Sequence, residues 1–153
     1  SCSVAVVNWG GKKTVRVSSA HPLEKPLRVY EYNSANPPMN AFNDLQPAKG
    51  TVAATNGVFA ATLPPRSLTF FTTDYVDRAP PVVTGLSFRD GVLAWTASTD
   101  ANHVYYRVYH DNRQIASTVA TKLDVKGVEG TYDVRSVDRW GNVSVPSASD
   151  FTN

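Results

Sequence analysis

Turn-forming residues interrupt this chain too often to leave room for a long helix. In its second half, Asp90-Gly91, Asp111-Asn112 and Arg139-Trp140-Gly141-Asn142 separate short runs rich in Val, Tyr, Phe and Thr. A turn roughly every 8–12 residues between β-prone runs is the pattern of stacked antiparallel sheets. No stretch repeats its apolar residues at helical spacing over a useful length. The expected fold is all-β, in two consecutive β-sandwich units.

With 153 residues, 42% of them hydrophobic and 18% charged, the chain has the composition of a folded globular protein. It is too short for a (β/α)₈ barrel, which takes about 250 residues. The net charge of +2 is spread thinly, with Lys12-Lys13 the longest basic run. Nucleic acids and anionic membranes want a clustered basic footprint, so neither is an expected partner. Cys2 is the single cysteine, which excludes an intrachain disulfide and a cysteine-built zinc site and leaves the redox compartment open. No apolar stretch approaches the length of a membrane span, and no basic segment precedes an apolar one as in a signal peptide. The chain starts at Ser1 without Met and runs directly into Val4-Ala5-Val6-Val7, so it reads as a processed product or an excised fragment.

Asp77-Arg78-Ala79-Pro80-Pro81 marks the boundary, because two prolines remove ladder donors and hold the preceding residue extended. The expected units are residues 1–76 and 82–153, joined by a linker over 77–81. In the first, Val4 to Asn8 and Thr14 to Val17 flank Gly10-Gly11 as a tight hairpin, and Thr51 to Ala54 and Val58 to Thr62 flank Asn56-Gly57 as a second. Leu27, Val29 and Glu31 share one face of a strand and Arg28, Tyr30 and Tyr32 the other, while Phe70 and Phe71 oppose each other in a strand over Ser67 to Thr73. Ser34 to Pro47 is an Asn/Pro-rich loop that Met39, Phe42 and Leu45 should pin down. In the second unit, strands are expected at Val82–Phe88, Val92–Thr96, Val104–His110, Arg113–Ser117, Thr131–Val137 and Val143–Pro146, with Val104, Tyr106 and Val108 facing the core.

Few residues here can carry chemistry. The glutamates are Glu24, Glu31 and Glu129, and Asp44, Asp90, Asp111 and Asp138 all fall at turns, where an Asx side chain satisfies local N–H groups. Glu24 and Glu31 remain as groups that could face a neighbouring active site. His21, His103 and His110 lack metal-ligand spacing, and His110 reads as a partly buried structural imidazole. No nucleophile elbow and no phosphate-binding glycine loop is present. No catalytic residue, metal site or cofactor is expected. Sugar rings stack on flat aromatic faces, which makes Trp9, Tyr105, Tyr109 and Trp140 the candidate carbohydrate platforms. Tyr105, Arg107 and Tyr109 share an outward parity with Asp133 and Arg135. Trp9 and Trp140 lie in turns beside glycine. Asn142-Val143-Ser144 is a glycosylation sequon, meaningful in a eukaryotic secreted chain.

Residues 80–150 resemble a fibronectin type III module. Trp95 matches the core tryptophan of that family's second strand, Tyr106 and Val108 its third strand, and Gly130-Thr131-Tyr132-Asp133-Val134 the entry to its sixth. The first half resembles the C-terminal sandwich of clan A glycoside hydrolases, through Val6-Val7-Asn8-Trp9-Gly10 and Leu63-Pro64-Pro65-Arg66-Ser67-Leu68-Thr69-Phe70-Phe71. Arg28-Val29-Tyr30-Glu31-Tyr32 before an Asn/Pro-rich loop is similar to glycoside hydrolase family 39, the α-L-iduronidase and β-xylosidase type, which appends a fibronectin-like domain. This resemblance implies a non-catalytic accessory region of a retaining glycoside hydrolase. Its partners would be the catalytic barrel of the same protein and a polysaccharide or glycoconjugate, and its setting secreted or extracellular. Asn36, Met39 and Phe42 would be the loop residues nearest a substrate cleft. Because that family draws sandwich strands from before its barrel, the resemblance also implies an incomplete first sheet with open edges. An autonomous carbohydrate-binding module and a two-domain adhesion protein are the alternatives.

Overall fold

The computed structural model describes residues 1–147 and 149–151. Extended β-branched and aromatic runs become thirteen strands, with no helix among the described residues. The fold is all-β. The strands fall into a first compact unit, Ser1–Val76, and a second that begins at Asp77.

The first unit contains β1 (Ser3–Asn8), β2 (Lys13–Ser18), β3 (Leu27–Tyr32), β4 (Gly50–Val52), β5 (Val58–Leu63) and β6 (Ser67–Thr72). They form an antiparallel sheet ordered β1-β6-β3-β4 and a two-stranded sheet, β2-β5. Leu27 and Phe71 from the first meet Phe59 and Leu63 from the second, and the rings of Phe59 and Phe71 lie 5.0 Å apart. Four strands thus face two. Val6, Val29 and Val52 on one side, and Val15, Val17 and Ala61 on the other, are covered only in part.

Neither hairpin expected in this unit forms. At Gly10-Gly11 the chain arches between sheets, since β1 pairs with β6 and β2 with β5. The buried Asn8 amide fixes that arch: Nδ2 donates to the carbonyls of Gly11 and Pro64 at 2.9 and 2.6 Å, and Oδ1 accepts from the Gly10 N–H. Three bonds to one buried side chain outweigh the turn preference of two glycines. Asn56 and Gly57 do adopt the positive φ of a type I′ turn, 51° and 74°, and Thr55 and Val58 exchange both backbone bonds at 2.9 Å. The ladder ends there, because β4 continues along β3 and β5 along β2. Turn chemistry is local. Burying Leu27, Phe59, Leu63 and Phe71 together decides the strand pairing.

The second unit contains β7 (Ser87–Arg89), β8 (Val92–Ala94), β9 (His103–His110), β10 (Arg113–Thr118), β11 (Lys122–Asp124), β12 (Gly130–Asp138) and β13 (Ser149–Phe151). Its sheets are ordered β11-β8-β7 and β10-β9-β12-β13. Val83, Leu93, Trp95, Tyr106, Val108, Val125, Tyr132 and Val134 form one core between them. Asp90-Gly91 and Asp111-Asn112 turn as expected, each with positive φ at both residues. Tyr132 Oη donates to the Val128 carbonyl at 2.6 Å, tying the start of β12 to the loop before it.

Three expectations for this unit fail. Only Ser87–Arg89 of the first expected strand enters a ladder, and Val143–Pro146 contributes one bridge, Val143 to Val137, in place of a strand. Val104 is exposed, because the β9 register slips between Val137 and Asp138 and pushes the extra residue out of the core face. β11 and β13 carried no legible signal, since each is three residues long with its apolar side chains outnumbered by polar ones.

Candidate functional site

Strand parity gives the two sheets of the first unit opposite outer surfaces. On β2-β5 the outward residues are Thr14, Arg16 and Ser18 opposite Thr62, Ala60 and Val58. On β1-β6-β3 they form two consecutive apolar rows, Val7–Leu68–Tyr32 and Ala5–Phe70–Tyr30. Val7 is 54% and Leu68 40% exposed, while Phe70 and both tyrosines are half-buried. An antiparallel sheet with one solvated face ordinarily alternates apolar and polar residues. Here both faces are apolar. Burial pushes the Tyr32 phenol above its ordinary range, with Tyr30 adding to the shift, so Tyr32 brings no charge to this face near neutrality.

Trp9 stands where β1 ends, beside the Val7–Leu68 row, and is 86% exposed. Its turn is rigid, because Asn8 bonds across it and the Arg66 N–H donates to the Gly10 carbonyl. Val7, Asn8, Trp9, Arg66, Ser67 and Leu68 line a shallow open hollow at this end of the sheet.

The loop after β3 leaves the sheet at the same end. It is ordered, but by its asparagines: Asn33 Oδ1 accepts from the N–H groups of Ala35 and Asn36, and Asn40 Oδ1 from those of Phe42 and Asp44. Met39, Phe42 and Leu45 are all exposed, so the expected apolar pins instead display an apolar surface. Of the cleft-loop candidates, Asn36 is occupied by the Glu31 carbonyl, which its amide contacts, and Met39 and Phe42 stand clear.

The remaining candidate platforms lie in the second unit. Tyr105, Arg107 and Tyr109 share the outer face of β9, with Arg107 beside Arg135 and Tyr109 beside Asp133 across the ladder. That patch is already closed. Arg135 bonds the Asp133 carboxylate at 2.6 Å and lays its guanidinium 4.4 Å from the Tyr109 ring centre, and Arg107 reaches the Tyr105 hydroxyl. Trp140 is partly buried in a turn organised by Asp138, whose carboxylate accepts from the N–H groups of Trp140 and Asn142 and from the Asn142 amide. The Arg139 guanidinium sits 5.2 Å over the Trp140 ring. In the sequon, the partly buried Asn142 donates its amide to Asp138, and the buried Ser144 hydroxyl accepts from the Ser136 N–H.

The candidate carboxylates do not assemble into a catalytic pair. Glu31 is held by Lys49 at 2.7 Å, and Glu24 is exposed. His110 is structural, with Nε2 on the Glu129 carbonyl and its ring against Tyr132. Sequence reading missed one cluster: His103 Nδ1 lies 2.8 Å from Ser136 Oγ, which donates to Ser98 Oγ. Ser136 is fully buried, so no substrate reaches it and the cluster serves the fold. Burial lowers the His103 pKa, with Asp100 opposing the shift. Among the described residues no group of His, Cys, Asp or Glu could hold a metal ion, and no helix is long and apolar enough to cross a membrane.

No family model matches the chain. It is 36% identical over 81 residues to Exoglucanase B of Cellulomonas fimi, an alignment covering 46% of this chain and 7% of that protein. The similarity is therefore to a small part of a glycoside hydrolase. Among solved structures, the spore cortex lytic enzyme SleM of Clostridium perfringens aligns over 66% of this chain and 36% of its own, at 19% identity and TM-score 0.45. The glycoside hydrolase domain of Endo-D from Streptococcus pneumoniae R6 aligns over 97% and 33%, at 16% and 0.43. The aligned part of this chain spans 7% of the exoglucanase and about a third of each of the two solved chains.

Proposed function

We propose that this chain is a non-catalytic accessory region of a retaining glycoside hydrolase of the clan A, family 39 type, whose first unit buttresses the catalytic barrel. The observation that carries this reading is the doubly apolar β1-β6-β3 sheet. Tyr30, Tyr32, Leu68 and Phe70 form a surface suited to burial against another layer, while the β2-β5 sheet of the same unit is clothed for water. Partial cover of Val6, Val29 and Val52 by a two-stranded sheet further supports completion by another part of the polypeptide. The 36% identity to a segment of an exoglucanase supports the enzyme class.

The domains we assign are 1–76, a linker over 77–81, and a fibronectin type III-like module over 82–153. The division of that module into sheets of three and four strands, with Tyr132 tied back to Val128, supports the assignment. An extracellular setting goes with a polysaccharide substrate. The test is sedimentation of the 153-residue chain beside its Phe70→Glu variant, with an aryl-glycoside assay of both. The proposal expects self-association of the native chain, a monomer for the variant and no turnover by either. A native chain that stays monomeric at high concentration, or one that hydrolyses glycosides, overturns it.

A further inference from the structure

We propose that Trp9 is a stacking platform for one pyranose ring of a glycan, with Arg66 as its hydrogen-bonding wall; this rests on the accessory reading above and gives that region a ligand of its own. Three observations converge on this residue. The indole contributes almost nothing to folding, being 86% exposed at the end of β1. Among the described residues it meets no aromatic ring and no guanidinium, whereas Tyr109 lies under Arg135 and Trp140 under Arg139. Of the candidate platforms, Trp9 alone offers a whole uncovered ring.

The mount is also stiff. Asn8 Nδ2 joins the Trp9 turn to the Pro64 carbonyl, Ser67 Oγ donates to that same carbonyl, and the Arg66 N–H donates to Gly10 at 3.2 Å. A turn held this way spends little entropy when a ligand arrives, which is what a weak, flat binding contact requires. A pyranose has one apolar C–H face and a rim of hydroxyls. The hollow beside Trp9 has the matching pair among its lining residues, apolar Val7 and the donor-bearing Arg66.

The experiment follows the indole N–H signals of Trp9, Trp95 and Trp140 by NMR in the 153-residue chain, titrated separately with cellohexaose, xylohexaose and chitohexaose. At least one sugar is expected to move the Trp9 signal and leave the other two in place, with a dissociation constant of about 1 mM or tighter. Trp9→Ala should weaken binding at least tenfold, and Arg66→Gln severalfold. An unmoved Trp9 signal with all three sugars at about ten times that concentration, a shift at Trp140 instead, or undiminished binding by Trp9→Ala each overturns the proposal. So does a Trp9→Ala variant that loses self-association in a chain that binds no sugar, which assigns the indole to the docking face. Phe70 lies outside the hollow, so the Phe70→Glu test of the accessory reading succeeds or fails independently.

Discussion

Phe70 and Phe71 are adjacent in β6 and point to opposite faces, and the account assigns them opposite consequences. Phe71 is fully buried and one of four apolar side chains that close the core of the first unit. Truncating it to Ala leaves a cavity against Phe59, at a cost of about 3–5 kcal/mol. A unit of this size, Ser1–Val76, holds on the order of 4–11 kcal/mol in total, so the variant sits near the edge of unfolding. Phe70 is half-buried, and its ring meets Tyr30 at 6.3 Å across the outer face. Phe70→Ala removes one cross-strand aromatic pair, at a cost of about 1 kcal/mol or less. Urea unfolding followed by residue-resolved NMR reads the two units separately. Equal losses for the two variants, or a Phe70→Ala loss above about 2 kcal/mol, would refute the claim that the outer face lies open in the isolated chain.

Tyr132→Phe should cost the second unit roughly 1 kcal/mol, by stranding the Val128 carbonyl, and leave the first unit's transition unmoved. Gly130→Ala should cost more than about 1 kcal/mol, because the backbone there has φ 141° and the added Cβ would stand 2.4 Å from His110 Nε2; thermal melts of the two variants measure both effects. The His103 pKa is lowered in the folded state, so the unfolded chain takes up the proton first as pH falls. Its contribution is fully present above about pH 6.5 and is lost below it, and His103→Gln should flatten the decline in second-unit stability between about pH 7 and 5.

Much of the architecture was legible because strand alternation is a local property. The faces of β3 and β6 follow from period-two patterning and the Asp90-Gly91 and Asp111-Asn112 turns from turn chemistry, while the burial of Trp95 was implied by the resemblance to fibronectin type III modules. Sheet membership was not legible. Gly10-Gly11 and Asn56-Gly57 carry hairpin chemistry, yet both connect strands that part into different sheets, because nothing in a turn dipeptide encodes the bonds Asn8 makes to Pro64. The loop at Ser34–Pro47 was misread for a related reason. Apolar side chains in a loop look like anchors, whereas the asparagine caps that order it sit at positions where sequence indicates only a turn. Of the four aromatic platforms, exposure of Trp9 followed from its glycine neighbours. The closing of Tyr109 and Trp140 depends on where arginines fold back, which no spacing encodes.

Hydroxyl-radical footprinting of Tyr30, Tyr32, Leu68 and Phe70, in the intact parent polypeptide and in the isolated 153-residue chain, tests the buttress directly. The account predicts severalfold lower labelling of all four in the intact protein, where the catalytic domain covers them. Equal labelling in the two forms would contradict it.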